Sequence, residues 1–371
     1  MARFIHASDL HLAKPFGRFD EDVRVRLRIE RMNSIARLAA AARGEDAPIV
    51  LLAGDTFDAE TPPPKTTRQA LKAMGREPGV TWILMPGNHD SLAASELWSR
   101  VAEECPPNVV LGLNPEPIVV GDLEILPAPP TTREPGRDLT AWFDDAGATD
   151  RIRVGIAHGG VQNFGADDER LSIIPPDRAE RAGLDYLALG DWHGQMRIGS
   201  RTWYSGTVEA DSFKPHAAAG CLLVDIPSRG AVPEVTPMPL GQIVWRALSP
   251  DLRPGDDALA VLDAAIPEGD RSSMMISVRA AGRLPLSERS RLSRHLAAIQ
   301  HDFLHFEADL DELRIEEEVG DLDLIDGAGA LRQAAEALLE ASRDQAHGQE
   351  DRRIAGMALT RLFEFAQEDA R

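Results

Sequence analysis

The sequence has few cysteines and no long apolar run. Its 371 residues include only two cysteines, Cys105 and Cys221. That is too few for a disulfide framework, and their spacing matches no zinc motif. No apolar stretch reaches the length of a membrane span, and the first residues enter a strand-like pattern without the apolar core of a signal peptide. These absences predict a cytoplasmic protein with no membrane association.

Positive charge is also scarce. The chain carries 40 Lys and Arg against 60 Asp and Glu, a formal net charge of -20. Such a field repels nucleic acid and argues against a general polyanion binder, so any path for DNA must be local or shared with a partner. Acidic residues have a second use, because their carboxylates hold divalent cations.

What the chain does contain is a series of short apolar runs that alternate with helical patterns up to about residue 240. This alternation is typical of a sheet covered by helices, and it predicts an α/β first domain over residues 1–240. Five runs have the composition of buried strands. They are residues 4–7, 49–53, 80–84, 152–156 and 184–189.

The rest of the chain predicts a smaller α+β domain over residues 243–319 and two C-terminal helices within residues 330–371, whose wide apolar faces need a surface to cover. A long helix is predicted between the first two strands. Its arginines, including Arg24, Arg28 and Arg31, are interpreted as solvent-exposed because acidic residues lie among them. Its buried face is predicted from apolar residues at helical spacing. These are Val25, Ile29, Met32, Ala36 and Ala39.

Each of the five runs ends just before Asp, His or Asn residues. The clusters are Asp9-Leu10-His11, Gly54-Asp55, Gly87-Asn88-His89-Asp90, His158 and Gly190-Asp191-Trp192-His193. Any one of them is better explained as a capping Asp or a hydrogen-bonded His in a turn. Together they follow successive strands, at the place where open α/β sheets form their sites. The sequence therefore predicts one metal-binding cleft.

The types of ligand predict catalysis. A mixed Asp, His and Asn set suits Mn²⁺, Fe²⁺ or Zn²⁺ better than an all-oxygen magnesium site, and the absence of cysteine ligands disfavours structural zinc. The Asp55 carboxylate can bridge two cations, which together polarise a phosphoryl group and activate water. His89 is the candidate catalytic acid at the leaving oxygen, and Asp90 is predicted to orient its imidazole.

In this order the motifs resemble those of the calcineurin-like metallophosphoesterase superfamily. The opening, residues 4–12, and the later Tyr204-Ser205-Gly206-Thr207 are similar to the SbcD-type DNA-repair exonuclease branch, particularly its YhaO-like members. The resemblance covers about residues 3–225. It implies a two-sheet sandwich flanked by helices, a capping domain, and C-terminal helices that dock on a coiled-coil ATPase, SbcC-like or YhaN-like.

The same resemblance implies manganese-dependent cleavage of DNA at two metal sites, with His89 as the catalytic residue. One cation would be held by Asp9, His11, Asp55 and His193, and the other by Asp55, Asn88, His158 and residue 191. Asp191 departs from the family pattern, which has His there. A third carboxylate lowers the net charge of a two-cation site from about +2 to about +1, which predicts a less acidic bound water and a preference for harder ions such as Mn²⁺.

Two other functions stay open at this level. The same ligands serve monoesters and diesters, so the substrate could be a small nucleotide or a phosphoprotein rather than DNA. Alternatively, the metal site could be weak and the chain a scaffold subunit of an ATPase complex. Neither the composition nor the motifs determine whether the chain forms a homodimer.

Overall fold

The structure, a computed structural model, describes residues 1–162, 172–214, 219–316, 325, 329–344, 346 and 348–369. The chain divides into two compact units. The first is Met1–Asp211 with His216–Ile243, and the second is Ser212–Pro215 with Val244–Arg371. Among the described residues, no helix is both long enough and apolar enough to cross a membrane.

The first unit alternates strands and helices. Its strands are β1 (Ala2–Ala7), β2 (Ile49–Ala53), β3 (Thr81–Met85), β4 (Val109–Leu111), β5 (Ile118–Val120), β6 (Leu123–Ala128), β7 (Ile152–His158), β8 (Gly160–Val161), β9 (Ser172–Ile174), β10 (Tyr186–Gly190), β11 (Met196–Arg197), β12 (Thr202–Tyr204), β13 (Gly220–Ile226) and β14 (Glu234–Pro239). Its helices are α1 (Glu21–Gly44), α2 (Pro64–Gly75), α3 (Ser95–Glu104) and α4 (Arg178–Arg181), with a 3₁₀ turn at Ala141–Asp145.

These strands form two six-stranded sheets, in the orders β14-β13-β1-β2-β3-β4 and β11-β12-β10-β7-β6-β5. Apolar side chains from both sheets, such as Phe4 and Leu51 from the first and Val154 and Ile156 from the second, share one buried cluster. The predicted α/β two-sheet sandwich is therefore confirmed.

The five predicted runs correspond to β1, β2, β3, β7 and β10. Strands β1, β2 and β3 pair in parallel within one sheet, and β7 and β10 pair in parallel within the other. Each strand is almost wholly buried, which explains its apolar composition. The polar residues that follow these strands therefore come from the carboxyl ends of both sheets.

The buried face of helix α1 differs from the predicted one. Val25 and Ile29 are 41% and 48% exposed, and Leu27 and Leu38 are buried instead. Arg31 is 2% exposed, and its guanidinium donates to the main-chain carbonyl of Leu10 over 2.7 Å. The interpretation of Arg31 as solvent-exposed is therefore wrong, because hydrogen bonds to the main chain compensate for its burial.

The second unit contains both α-helices and β-strands. Its strands are β15 (Val244–Leu248), β16 (Asp251–Leu252), β17 (Met274–Arg279), β18 (Ala281–Pro285), β19 (His305–Asp309) and β20 (Leu313–Glu316). They form two parallel sheets, β15-β17-β19 and β16-β18-β20. Its helices are α5 (Ala258–Ala265), α6 (Leu286–Ile299), α7 (Ala330–Arg343) and α8 (Gln349–Asp369), with 3₁₀ turns at Arg271–Ser273 and Gln300–Asp302.

A buried histidine in β1 gives the first unit a defined pH dependence. The Nδ1 atom of His6 lies 2.9 Å from the Tyr186 hydroxyl, and burial lowers the pKa of His6 to about 3. As the pH falls below about 6.5, the unfolded chain takes up a proton that folded His6 refuses. This difference should lower the free energy of unfolding by about 1.4 kcal/mol per pH unit down to about pH 3.

The variant His6→Gln should lack this contribution. Urea unfolding in the presence of a chelator, measured from pH 7 to pH 5, should show the variant losing less stability than the unmodified chain. Parallel pH curves for the two proteins would contradict the assignment.

Candidate metal centre

The chain leaves the site-forming strands through residues with left-handed backbone. The φ angles are 55° at Asp9, 43° at His11, 52° at Asp55 and 98° at Asp191. The Asp9 amide donates to the carbonyl of Gly54 over 3.1 Å, and the His11 amide donates to that of Asp55 over 2.9 Å. The loops after β1 and β2 are thus held together, and their side chains enter one cleft.

Two glycines allow the sheets to approach each other at this cleft. A Cβ atom on Gly54 would lie 2.2 Å from Nδ1 of His158, and one on Gly190 would lie 2.0 Å from the carbonyl oxygen of Ala53. Nδ1 of His158 donates to that same carbonyl over 2.8 Å. This bond fixes the imidazole so that its Nε2 atom lies 3.5 Å from the Asp55 carboxylate.

One group of ligands comprises Asp9, His11 and His193, whose ligating atoms all lie within 4.8 Å of one another. The Nε2 atoms of His11 and His193 are only 3.2 Å apart. Nε2 of His11 also lies 3.6 Å from the Asp55 carboxylate. Two imidazole nitrogens and two carboxylates directed at one small volume form a donor set suited to a transition-metal cation.

A second group comprises Asp9, Asp55 and His158, again with ligating atoms within 4.8 Å of one another. Asp191 borders it, because its Oδ1 atom lies 3.8 Å from Nε2 of His158 and accepts from Nδ2 of Asn88 over 3.2 Å. Nε2 of His158 and Oδ1 of Asn88 are buried and have no hydrogen-bond partner among the described residues. Unpaired buried polar atoms beside carboxylates fit a divalent cation.

The charges of this cluster change the protonation of its histidines. Burial lowers the pKa of His11, which favours the neutral imidazole that binds metals. Burial also opposes the charged form of His158, but Asp55, Asp9 and Asp191 outweigh it and raise the pKa of His158 well above its usual range. A cation that binds here therefore displaces a proton from His158.

His89 lies at the same cleft. Its main-chain amide donates to the Asp55 carboxylate over 2.9 Å, and its Nδ1 atom lies 2.9 Å from the carbonyl oxygen of Asp58. Its ring packs edge-on against His11, with centroids 4.9 Å apart. If Nδ1 donates to this carbonyl, Nε2 is the nitrogen that can exchange a proton with a substrate.

Asp90 contacts the backbone of the loop and not the imidazole of its neighbour. Its two carboxylate oxygens accept from the amides of Gly87 over 2.6 Å and Phe57 over 2.9 Å. Burial, followed by the charge of Asp55, raises the pKa of Asp90 to about 7. The contact that orients His89 comes from the Asp58 carbonyl, so the structure gives Asp90 a different position from the predicted one.

Two carboxylates at the site are absent from the sequence prediction. Oδ1 of Asp58 lies 3.1 Å from Nδ1 of His11, and with His89 these residues form a third group of closely spaced ligating atoms. Asp211 lies 3.2 Å from Nδ1 of His193 and 2.6 Å from Nζ of Lys14. Asp58 follows Asp55 by only three residues, so its nearness to a motif is a signal in the sequence. Asp211 belongs to no motif.

Residues 2–195, more than half of the chain, match the family model for calcineurin-like phosphoesterases. The chain belongs to this family. It is 26% identical over 247 residues to the uncharacterized metallophosphoesterase YhaO of Bacillus subtilis (strain 168). That match covers 60% of this chain and 57% of the relative, which is less than two thirds of the relative's length.

A solved structure, TT1561 of Thermus thermophilus, is also similar to this phosphoesterase. The two share 10% sequence identity at a TM-score of 0.38, over 55% of this chain and 89% of the other. A likeness of that degree carries no argument about the site.

Asp211 is expected to orient His193, which belongs to the first group of ligands. Burial alone would raise the pKa of Asp211, but the hydrogen bond from His193 and the charges of His193, Arg31 and Lys14 hold that pKa well below its usual range. Asp211→Asn should weaken metal binding about 10- to 100-fold, because an oriented imidazole is lost. Titration of the chelated protein with Mn²⁺ measures this change.

Asp225→Asn is the matched control, because Asp225 also pairs with a cation, Arg3, but lies on β13 away from the ligands. Equal metal affinities for the two variants would show that Asp211 does not position His193.

Proposed function

We propose that this phosphoesterase hydrolyses phosphodiester bonds of DNA in DNA repair, using two divalent cations with Mn²⁺ as the preferred metal. The carrying observation is the pair of adjoining ligand groups, Asp9-His11-His193 and Asp9-Asp55-His158, with the Asp55 carboxylate 3.6 Å and 3.5 Å from the two imidazoles. Two closely spaced cations are the usual device for displacement at a phosphorus atom. The resemblance of the opening motif to the SbcD-type branch supports DNA as the substrate.

The residues divide into those that hold metal and those that handle the leaving group. The first cation would be held by Asp9, His11, Asp55 and His193, and the second by Asp55, Asn88, His158 and Asp191. When bound, such cations polarise the phosphoryl group and lower the pKa of water. His89, held through Nδ1 by the Asp58 carbonyl, would act through Nε2, which in the imidazolium form gives its proton to the leaving oxygen.

A cavity of about 430 Å³ adjoins the second ligand group and supplies a place for the substrate. Asn88, His158 and Asp191 line it together with the exposed Arg133 and Arg137. Guanidinium groups bind phosphate oxygens in a forked geometry. We therefore assign the phosphates that flank the scissile bond to this cavity.

The coiled-coil ATPase partner is a further part of the proposal. It is supported by the resemblance to the SbcD-type branch and by the apolar residues that α8 exposes, Ile354, Met357 and Phe365, which are 52%, 51% and 51% exposed. Copurification with an SbcC-like or YhaN-like ATPase, lost in an Ile354→Ser/Phe365→Ser double variant, is the expected result. If the double variant still copurifies with the ATPase, α8 is not part of the interface.

The proposed substrate is tested with end-labelled linear DNA, duplex and single-stranded, incubated with Mn²⁺. Cleavage by the unmodified chain and not by His89→Asn is expected. No cleavage of DNA, combined with turnover of bis(p-nitrophenyl) phosphate, would instead assign the site to small phosphoesters. The nucleotide-scale cavity and the net charge of -20 are the observations that favour this second function.

Asp191 should set the metal preference. Replacing it with His, the family's usual residue, removes one carboxylate and should shift the preference from Mn²⁺ toward softer ions such as Zn²⁺, with a lower kinetic pKa. Activity is compared across Mn²⁺, Fe²⁺ and Zn²⁺ as a function of pH. If the variant keeps the same order of metal preference and the same pH-rate profile, Asp191 does not set the metal preference.

A further inference from the structure

The second unit contains a cavity of about 900 Å³ that is lined by an unusual number of arginines. It lies among β18, β20, α6, α7 and α8, so it is formed within this unit alone. Six arginines line it: Arg283, Arg289, Arg314, Arg343, Arg352 and Arg353. Three acidic residues line it as well: Asp311, Glu312 and Glu316.

Two of the arginines lie side by side on neighbouring strands. Arg283 of β18 and Arg314 of β20 are directly paired in the parallel register. Like charges opposite each other in a sheet destabilise it unless an anion compensates. Within the described parts of the chain, neither guanidinium has a hydrogen bond or an ion pair.

A third arginine is buried in the cavity wall. Arg289 of α6 is 8% exposed, and burial lowers its pKa despite the charge of Asp311. Its Nη1 atom lies 3.5 Å from the position that a Cβ would take on Gly356, so α8 passes close to it. Its guanidinium also has no hydrogen bond or ion pair to any described residue. A buried cation of this kind requires a counter-charge.

Asp311 supplies part of this counter-charge, but it is shared with a second arginine. Asp311 lies 3.6 Å from Arg353, which is also paired with Glu350. Glu312 and Glu316 form no ion pair with Arg283, Arg289 or Arg314 in the described structure. Among the described residues that line the cavity, arginines outnumber acidic residues six to three, in a protein whose overall charge is strongly negative.

We propose that this arginine cavity binds the phosphate groups of an anionic ligand of nucleotide size. Planar guanidinium groups match phosphate oxygens two at a time, and several of them converging on one space favour more than one phosphate. The volume lies within the range of small-ligand pockets, roughly 300–1,000 Å³. The ligand is either a free phosphorylated small molecule or the phosphorylated end of a nucleic acid, since both present the same chemistry.

The test uses the full chain with its metals removed by a chelator, so that the metal centre does not capture phosphate. Binding of pyrophosphate, ATP and a 5′-phosphorylated single-stranded oligonucleotide is measured by calorimetry. The test variant is Arg283→Ala/Arg314→Ala, whose side chains are exposed and whose loss should leave the fold intact. The matched control is Arg294→Ala, an exposed arginine of α6 outside the cavity.

At least one probe should bind the unmodified chain, and the double variant should weaken that binding about 10-fold or more, while Arg294→Ala leaves it unchanged. Tighter binding of ATP or pyrophosphate would identify a free small molecule as the ligand, and tighter binding of the oligonucleotide would identify a nucleic-acid end. Absence of binding by all three probes, or equal binding by the unmodified chain and the double variant, would overturn the proposal.

Discussion

Asp55→Asn should lower the rate of metal-dependent diester hydrolysis by about 10³-fold, because it neutralises the carboxylate that lies between the two ligand groups. One oxygen of Asp55 lies 3.6 Å from Nε2 of His11 and 3.5 Å from Nε2 of His158. The other accepts from the main-chain amide of His89. Hydrolysis of bis(p-nitrophenyl) phosphate and the metal content of the purified protein are the two measurements.

The chain offers a closely matched control for this change. Asp46 is an exposed aspartate in the same unit, with a φ of 51° that is nearly that of Asp55. Asp46→Asn makes the same chemical change on the same backbone conformation and should leave activity intact. If Asp55→Asn retained full activity and two bound metal ions, the bridging position would be wrong.

His89→Asn should lower cleavage of DNA by about 10²- to 10⁴-fold, the usual contribution of a general acid or base. The loss should be much smaller for a diester with a p-nitrophenolate leaving group, because that group departs without a proton. A comparison of the two substrates therefore separates proton donation from other roles. Equal losses on both substrates would contradict proton donation by His89.

The number of metal ions bound by His89→Asn distinguishes a proton donor from a metal ligand at this position. The ring belongs to a group with His11 and Asp58 that has the spacing of metal ligands. A proton donor can be removed without loss of metal, whereas a ligand cannot. His301→Asn, a change at an exposed histidine of the second unit, is the control for the loss of an imidazole as such.

Much of the fold could be predicted because the buried strands of the sandwich have simple sequences. Strand β2 is Ile-Val-Leu-Leu-Ala with every residue buried, and its predicted and observed limits agree. Polar residues lie at or just after the end of each such strand. Asp9 and Asp55 are therefore placed at one edge of the first sheet by the parallel pairing of β1 and β2, and His158 and Asp191 at one edge of the second sheet by that of β7 and β10. Local pattern and topology together were sufficient for these residues.

The rest depends on contacts between distant segments, which a local pattern does not contain. Arg31 looks like a surface residue of α1, yet Asp211, 180 positions later, lies 3.5 Å from its guanidinium. The same Asp211 contacts His193, so one carboxylate connects a buried helix residue with a predicted ligand. The contacts of Asp90 could not be predicted for a related reason, since one of them is with the amide of Phe57, which belongs to another loop.

The left-handed residues at the metal centre have a consequence for how this protein can change. A non-glycine residue with left-handed backbone is strained by roughly 1–2 kcal/mol, and Asp9, His11, Asp55 and Asp191 all have this conformation. Glycine at such a position would relieve the backbone strain, but it would also remove the side chain that the metal centre needs. The strained positions therefore contribute to binding and chemistry at the expense of backbone stability.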